Sequence, residues 1–96
     1  MINKAFAGDR THLTKRDINY YSTNDYECVA LYESLTKGII IIAKSRKRNY
    51  QSFKVSYNQS NVFFPSFYEA KDFIEKRFKD ITHEVLNLKE IKRYEK

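Results

Sequence analysis

Gly38-Ile39-Ile40-Ile41-Ile42-Ala43-Lys44-Ser45 decides the fold class of this chain. Four successive isoleucines are β-branched and stiff at χ1, which favours extended backbone over helix. The run is too short for a buried helix, and its unbroken apolarity suits a strand covered on both faces. Just before it, Leu35-Thr36-Lys37-Gly38 supplies the residues of a hairpin loop. A strand therefore belongs on each side of that loop.

The upstream partner is Glu27 to Glu33. There Cys28, Ala30 and Tyr32 alternate with Val29, Leu31 and Glu33, as in a strand. Cys28, Leu31, Tyr32 and Leu35 also fall at i, i+3, i+4 and i+7, so a helix is the competing reading of residues 26–36. The hairpin loop favours the strand. Downstream, Arg46-Lys47-Arg48-Asn49 forms a turn into a strand over Tyr50 to Tyr57. In it Phe53, Val55 and Tyr57 face one way and Ser52, Lys54 and Ser56 the other. Asn58 to Asn61 reads as a loop, and Val62 to Phe64 as a short fourth strand.

A helix follows. Ser66 with Glu69 has the spacing of a capping box, with Pro65 just outside. Phe67, Ala70, Ile74, Phe78 and Ile81 make an apolar stripe. Lys71–Glu75, Asp72–Lys76, Glu75–Lys79 and Lys76–Asp80 are spaced as i,i+4 ion pairs. Val85, Leu88 and Ile91 extend the stripe, but a straight helix from Ser66 to Tyr94 would run ~43 Å, longer than a small domain is wide. The sequence therefore predicts either a break near Asp80–Thr82 or a projecting C-terminal helix that joins two copies in a homodimer. Residues 1–25 are polar and weakly patterned, an arm either loosely ordered or lying across the sheet. A short helix is expected to open at Thr14-Lys15-Arg16-Asp17 and run through Tyr21. The fold class is α+β: one domain over 1–96, a small antiparallel sheet of three to four strands, and a C-terminal helix packed on it.

Composition narrows the function. With 96 residues, seven Phe and eight Tyr, the chain can bury one core without staples. The single cysteine, Cys28, fits a reducing, cytoplasmic setting. No apolar run approaches the ~20 residues that span a bilayer, and the start lacks the apolar stretch of a signal peptide, so no membrane association is expected. The abundance of Lys, Ile, Asn and Tyr, residues with AT-rich codons, suggests a low-GC bacterium, its phages or mobile elements.

Chemistry-bearing residues are sparse. His12, His83 and Cys28 lack the spacing of a metal site, and nothing in the sequence orients Cys28 against a base. Gly8 and Gly38 are isolated, so no phosphate loop is present. The expectation is a non-catalytic protein without metal or cofactor.

Charge is the informative feature. Between Ser34 and Tyr68 there is no Asp or Glu, and the stretch holds Lys37, Lys44, Arg46, Lys47, Arg48 and Lys54. Its charge equals the +6 of the whole chain, so the remainder is balanced. One lysine would suffice to keep a hairpin soluble and its edge unpaired. A tip with four cations in Lys44–Arg48 suits phosphates or an acidic protein surface better. Lys44, Arg46, Lys47, Arg48, Asn49, Tyr50 and Lys54 are the candidate binding residues, with Tyr50, Tyr57, Gln51 and Ser52 as possible sources of stacking and polar contacts. The order strand–strand–strand–helix is similar to that of small DNA-binding domains that lay a three-stranded sheet in the major groove, a likeness of architecture without a shared motif. The expected partner is nucleic acid. The alternative is an inhibitor or adaptor that binds a nucleic-acid-handling protein, as anti-CRISPR proteins do.

Overall fold

The isoleucine run forms the central strand of a five-stranded antiparallel sheet. A computed structural model describes residues 13–47 and 52–86. In chain order the elements are α1 (Lys15–Tyr21), β1 (Tyr26–Ser34), β2 (Gly38–Ser45), β3 (Phe53–Tyr57), β4 (Ser60–Phe64), α2 (Phe67–Arg77) and β5 (Ile81–Leu86). The strands lie in the order β4-β3-β2-β1-β5. The fold is thus α+β as expected, but with five strands rather than three or four. Its last described element is a strand and not a helix.

β1 and β2 pair from Tyr26↔Ser45 to Ser34↔Gly38, which settles residues 26–34 as strand. Gly38 closes the connecting loop at φ +78, where a side chain would be strained. The pairing skips Val29, because Cys28 and Ala30 oppose the adjacent residues Ala43 and Ile42. That bulge places one extra residue on β1 and shifts its phase. Cys28 and Leu31 consequently pack in one layer, while Val29, Ala30 and Tyr32 pack in the other. The loop between β3 and β4 is shorter than the expected Asn58–Asn61. Asn58 and Gln59 both take positive φ (46 and 64), as a two-residue hairpin turn of the primed type requires, so β4 already starts at Ser60.

Two layers cover the sheet. On one face α2 brings Phe67, Ala70, Ile74 and Phe78 against Val29, Ala30, Tyr32, Ile40, Ile42, Phe53 and Val55, all buried. Phe53, Val55, Phe67, Ile74 and Phe78, expected from periodicity to face inward, are all in this set, and the structure joins Ile40 and Ile42 to them, a parity that an unbroken isoleucine run cannot give. On the other face Leu13, Cys28, Leu31 and Val85 are buried together with Ile18, Tyr21, Ile39 and Ile41 packed against them. The isoleucine run is apolar throughout because its alternate members serve these two layers.

Both helices are capped by the residues that the sequence singles out. Thr14 and Asp17 make the full reciprocal box, each backbone N–H donating to the other's side chain at 3.2 Å. At α2 the Ser66 hydroxyl accepts from the Glu69 N–H at 3.2 Å. The Glu69 carboxylate takes the Ser66 hydroxyl at 3.0 Å, so this cap differs from the expected box. Of the expected ion pairs, Asp72–Lys76 forms at 3.1 Å. Lys71 instead reaches Glu84 on β5 at 3.2 Å. Glu75–Lys79 and Lys76–Asp80 lose their geometry because α2 stops at Arg77.

What stops α2 is tertiary. The Asp80 carboxylate accepts from Ser34 Oγ at 2.8 Å, Thr36 N at 2.9 Å and Thr36 Oγ1 at 2.6 Å. Its backbone carbonyl accepts from Leu35 N at 3.2 Å. Anchored there, the chain enters β5 and pairs antiparallel with the open edge of β1, from Ser34↔Ile81 to Ala30↔Leu86. Of the two expectations for the apolar stripe, the break is the one observed: as far as Leu86 the chain is strand and not a continuation of α2. Leu88 and Ile91 lie outside the described residues.

The hydrogen bonds from Thr36, then Ser34, hold the Asp80 carboxyl below its ordinary pKa. A carboxyl depressed in the fold stabilises it above the unfolded pKa of ~3.9, and that contribution is lost as pH falls through the native value. Asp80→Asn should thus lower the urea midpoint at pH 7, and the gap to the wild type should close as pH drops below about 4. A gap that persists unchanged at pH 2–3 would show that the carboxylate's charge is not what matters.

Candidate nucleic-acid interface

The cationic end of the β2–β3 hairpin is held at its base by hydroxyls and by the loop that precedes β1. Ser45 N donates to the Ser52 carbonyl at 2.6 Å, closing the strands. Ser45 Oγ donates to the Lys47 carbonyl at 2.8 Å and accepts from Lys47 N at 3.1 Å. Arg46 N donates to the Asp25 carbonyl at 2.8 Å, and Arg46 Nε to the Thr23 carbonyl at 3.2 Å. The side chains of Lys47 and Asp25 form an exposed ion pair at 3.7 Å.

Two carboxylates thus stand near a tip that sequence order alone leaves uncompensated. Asp25 meets Lys47, and Glu27 lies opposite Lys44 in the β1–β2 register. They arrive through strand pairing from about twenty residues upstream, beyond the acid-free stretch. An exposed pair of this kind contributes only ~0–1 kcal/mol, so it competes weakly with a polyanion for Lys47. The fold also divides the basic stretch. Lys37 sits in the β1–β2 loop, roughly 24 Å of strand away from the tip at about 3.4 Å per residue.

Lys54 points to the sheet face opposite α2, since its neighbours Phe53 and Val55 belong to the α2 core. Its ammonium lies 4.2 Å from the centroid of the Tyr26 ring, a cation–π contact. The Tyr26 ring in turn lies 6.5 Å from that of Phe63, which is 43% exposed. Neither Tyr26 nor Phe63 was among the residues expected from sequence. The alternation of β4 puts Phe63 opposite Lys54 and away from the core, a signal available once residues 60–64 are known to be a strand. Tyr26 had no such signal.

The remaining candidates separate. Lys44, Arg46, Lys47 and Lys54 gather at one end of the sheet, whereas Arg48, Asn49 and Tyr50, with Gln51, lie outside the described residues. Tyr57 is not available for stacking on a ligand, because it packs edge-on against Phe78 at 5.0 Å and against Phe73 at 6.5 Å. Ser52 lends its carbonyl to the hairpin closure.

The titratable groups elsewhere are engaged with the fold. Cys28 is fully buried, and burial pushes its thiol up to about 12, so it stays protonated. His83 Nδ1 lies 3.2 Å from Glu33 Oε1 across the β1–β5 pair. Tyr32 donates to Glu84 Oε2 at 2.8 Å, the oxygen that also meets Lys71. Burial and the Glu84 charge hold the Tyr32 phenol well above its ordinary pKa. Among the described residues no three His, Cys, Asp or Glu side chains are grouped to hold a metal ion, and no helix is long and apolar enough to cross a membrane. The chain matches no protein-family model, no curated protein and no solved structure, so its function is argued from its own residues.

Proposed function

We propose that this protein is a non-catalytic nucleic-acid-binding protein that contacts phosphates through the cationic end of its β2–β3 hairpin. The observation that carries this reading is that Lys44, Arg46, Lys47 and Lys54 all lie at one end of the sheet, Lys44 on the α2 face and Lys54 on the opposite face beside the exposed ring of Phe63. Pairing brings Asp25 and Glu27 to the same corner, and the four cations still outnumber them. Phosphate contacts of this kind give affinity with little sequence preference.

Salt tests the reading directly. With about four phosphates engaged, log K should fall with log salt with a slope near −3 to −4. Replacing Arg46, Lys47 and Arg48 together with Ala should flatten the slope and weaken binding, with the melting temperature lowered only slightly by loss of the exposed Arg46–Thr23 and Lys47–Asp25 contacts. Absence of binding at low salt, or affinity indifferent to salt, would overturn the proposal. A protein partner that stays bound after nuclease treatment would then identify the chain as an inhibitor or adaptor of a nucleic-acid-handling protein.

A further inference from the structure

The face of the sheet opposite α2 is unevenly covered. The cluster that packs there draws its described residues from Leu13, α1, β1, β2 and β5. From β3 and β4 the same face presents Lys54, Ser56, Asn61 and Phe63. β3 and β4 carry no carboxylate. Ser56 Oγ and Asn61 Oδ1 are 2.8 Å apart and near the surface, and the Phe63 ring is 43% exposed.

Ring placement makes this strip more than a wet face. β1 and β4 are separated by two strands, about 14 Å at ~4.8 Å per step. The Tyr26 and Phe63 centroids are nevertheless only 6.5 Å apart, so the two rings lean towards each other over β2 and β3. In the cross-strand row Cys28–Ala43–Lys54–Phe63, Ala43 is small enough to leave room for this. Lys54 holds its ammonium over Tyr26, and on the neighbouring strand Phe63 is its direct cross-strand partner. A half-exposed ring beside a fixed cation matches one nucleotide, with the base on the ring and the phosphate at the ammonium.

We propose that the β3–β4 half of this face is a stacking platform for single-stranded nucleic acid. Phe63 carries a base, Lys54 contacts the adjoining phosphate, and Tyr26 positions Lys54. The proposal rests on the nucleic-acid reading above and specifies the form of ligand. Charge complementarity favours a polyanion over an apolar partner on a strip that holds Lys54 and no acid. A duplex keeps its bases stacked on one another, so a half-exposed ring beside a cation favours an unpaired base.

The test compares the full chain with Phe63→Ala and Phe63→Trp on a labelled oligo-dT and on a duplex of equal length. Oligo-dT should bind more tightly than the duplex, and Phe63→Ala should weaken oligo-dT binding about tenfold, within the range found for loss of one stacked base. The salt slope of Phe63→Ala should stay at the wild-type value, since no phosphate contact is lost, whereas Lys54→Ala should reduce its magnitude by about one. The chain contains no tryptophan, so Phe63→Trp introduces a single reporter. Its fluorescence should be quenched by oligo-dT with affinity retained, which also decides the matter if Phe63→Ala proves unstable. Salt-sensitive binding of both ligands, indifferent to Phe63→Ala and without quenching, would overturn the stacking platform while leaving the phosphate-binding reading in place. Absence of binding to either ligand at low salt would overturn both.

Discussion

Ile74→Ala is expected to cost about 2–5 kcal/mol of stability. Ile74 is 0% exposed and sits in the cluster where Phe67, Ala70 and Phe78 meet Ile40, Ile42, Phe53 and Val55. Removing its branched end leaves a hole bordered by a sheet that cannot collapse to fill it, so the lost transfer energy and the cavity add. For a domain of this size each kcal/mol shifts Tm by roughly 4–8 °C, so a fall of at least ~8 °C is expected. Urea denaturation should show a lower midpoint with an unchanged slope. A loss below about 1 kcal/mol would mean that α2 does not pack on this face.

Val85→Asp should have a still larger effect and tests the opposite layer. Val85 is fully buried on β5 with Cys28, Leu31 and Leu13 around it. A carboxylate placed among these apolar side chains loses its hydration, and a buried charge of this kind costs more than ~4 kcal/mol unless it is paired. Small domains are stable by only about 5–15 kcal/mol, so a loss of this size should bring the urea midpoint at neutral pH well below that of the wild type. The result distinguishes the observed strand from the helical extension that periodicity suggests. If residues around Val85 formed a projecting dimer helix, the same substitution would yield a folded monomer by light scattering.

The ambiguity of residues 26–34 has a specific structural origin. Cys28 and Leu31, spaced three apart, share a layer because the bulge at Val29 inserts one residue between them. A bulge thus imitates helical spacing in a strand, and no local residue preference announces it. The error at the C-terminus is of a related kind. Phe78, Ile81 and Val85 continue the steps of three and four seen in α2, but they belong to two faces of a sheet and its approach. Phe78 and Ile81 pack with the α2 core, while Val85 packs in the opposite layer. Periodicity cannot register such a change of element when the apolar spacing happens to carry across it.

The candidate site was legible only in part. The acid-free stretch located the basic hairpin, because charge composition is a property of the chain itself. The acidic company of that hairpin was not legible, nor were the rings beside Lys54. Tyr26 and Glu27 come to it from β1 and Phe63 from β4 by strand pairing, and Asp25 from the loop just before β1.

Local chemistry, by itself, determined that β2 is a strand, that α1 and α2 begin at Thr14 and Ser66, and which residues of β3 and α2 face their shared core. Branching at Cβ, capping side chains and apolar periodicity act within a few residues, so they can be read in order along the chain. Tertiary structure alone decided that the chain beyond Arg77 becomes β5 and that α1 shields a second layer. It also decided which aromatic and acidic groups surround the cations. The open edge of β1 and the hydroxyls of Ser34 and Thr36 recruit Asp80 and the strand after it, and these contacts span more than forty residues of sequence. Their free energy exists only once the sheet has formed, so no window of local sequence contains it.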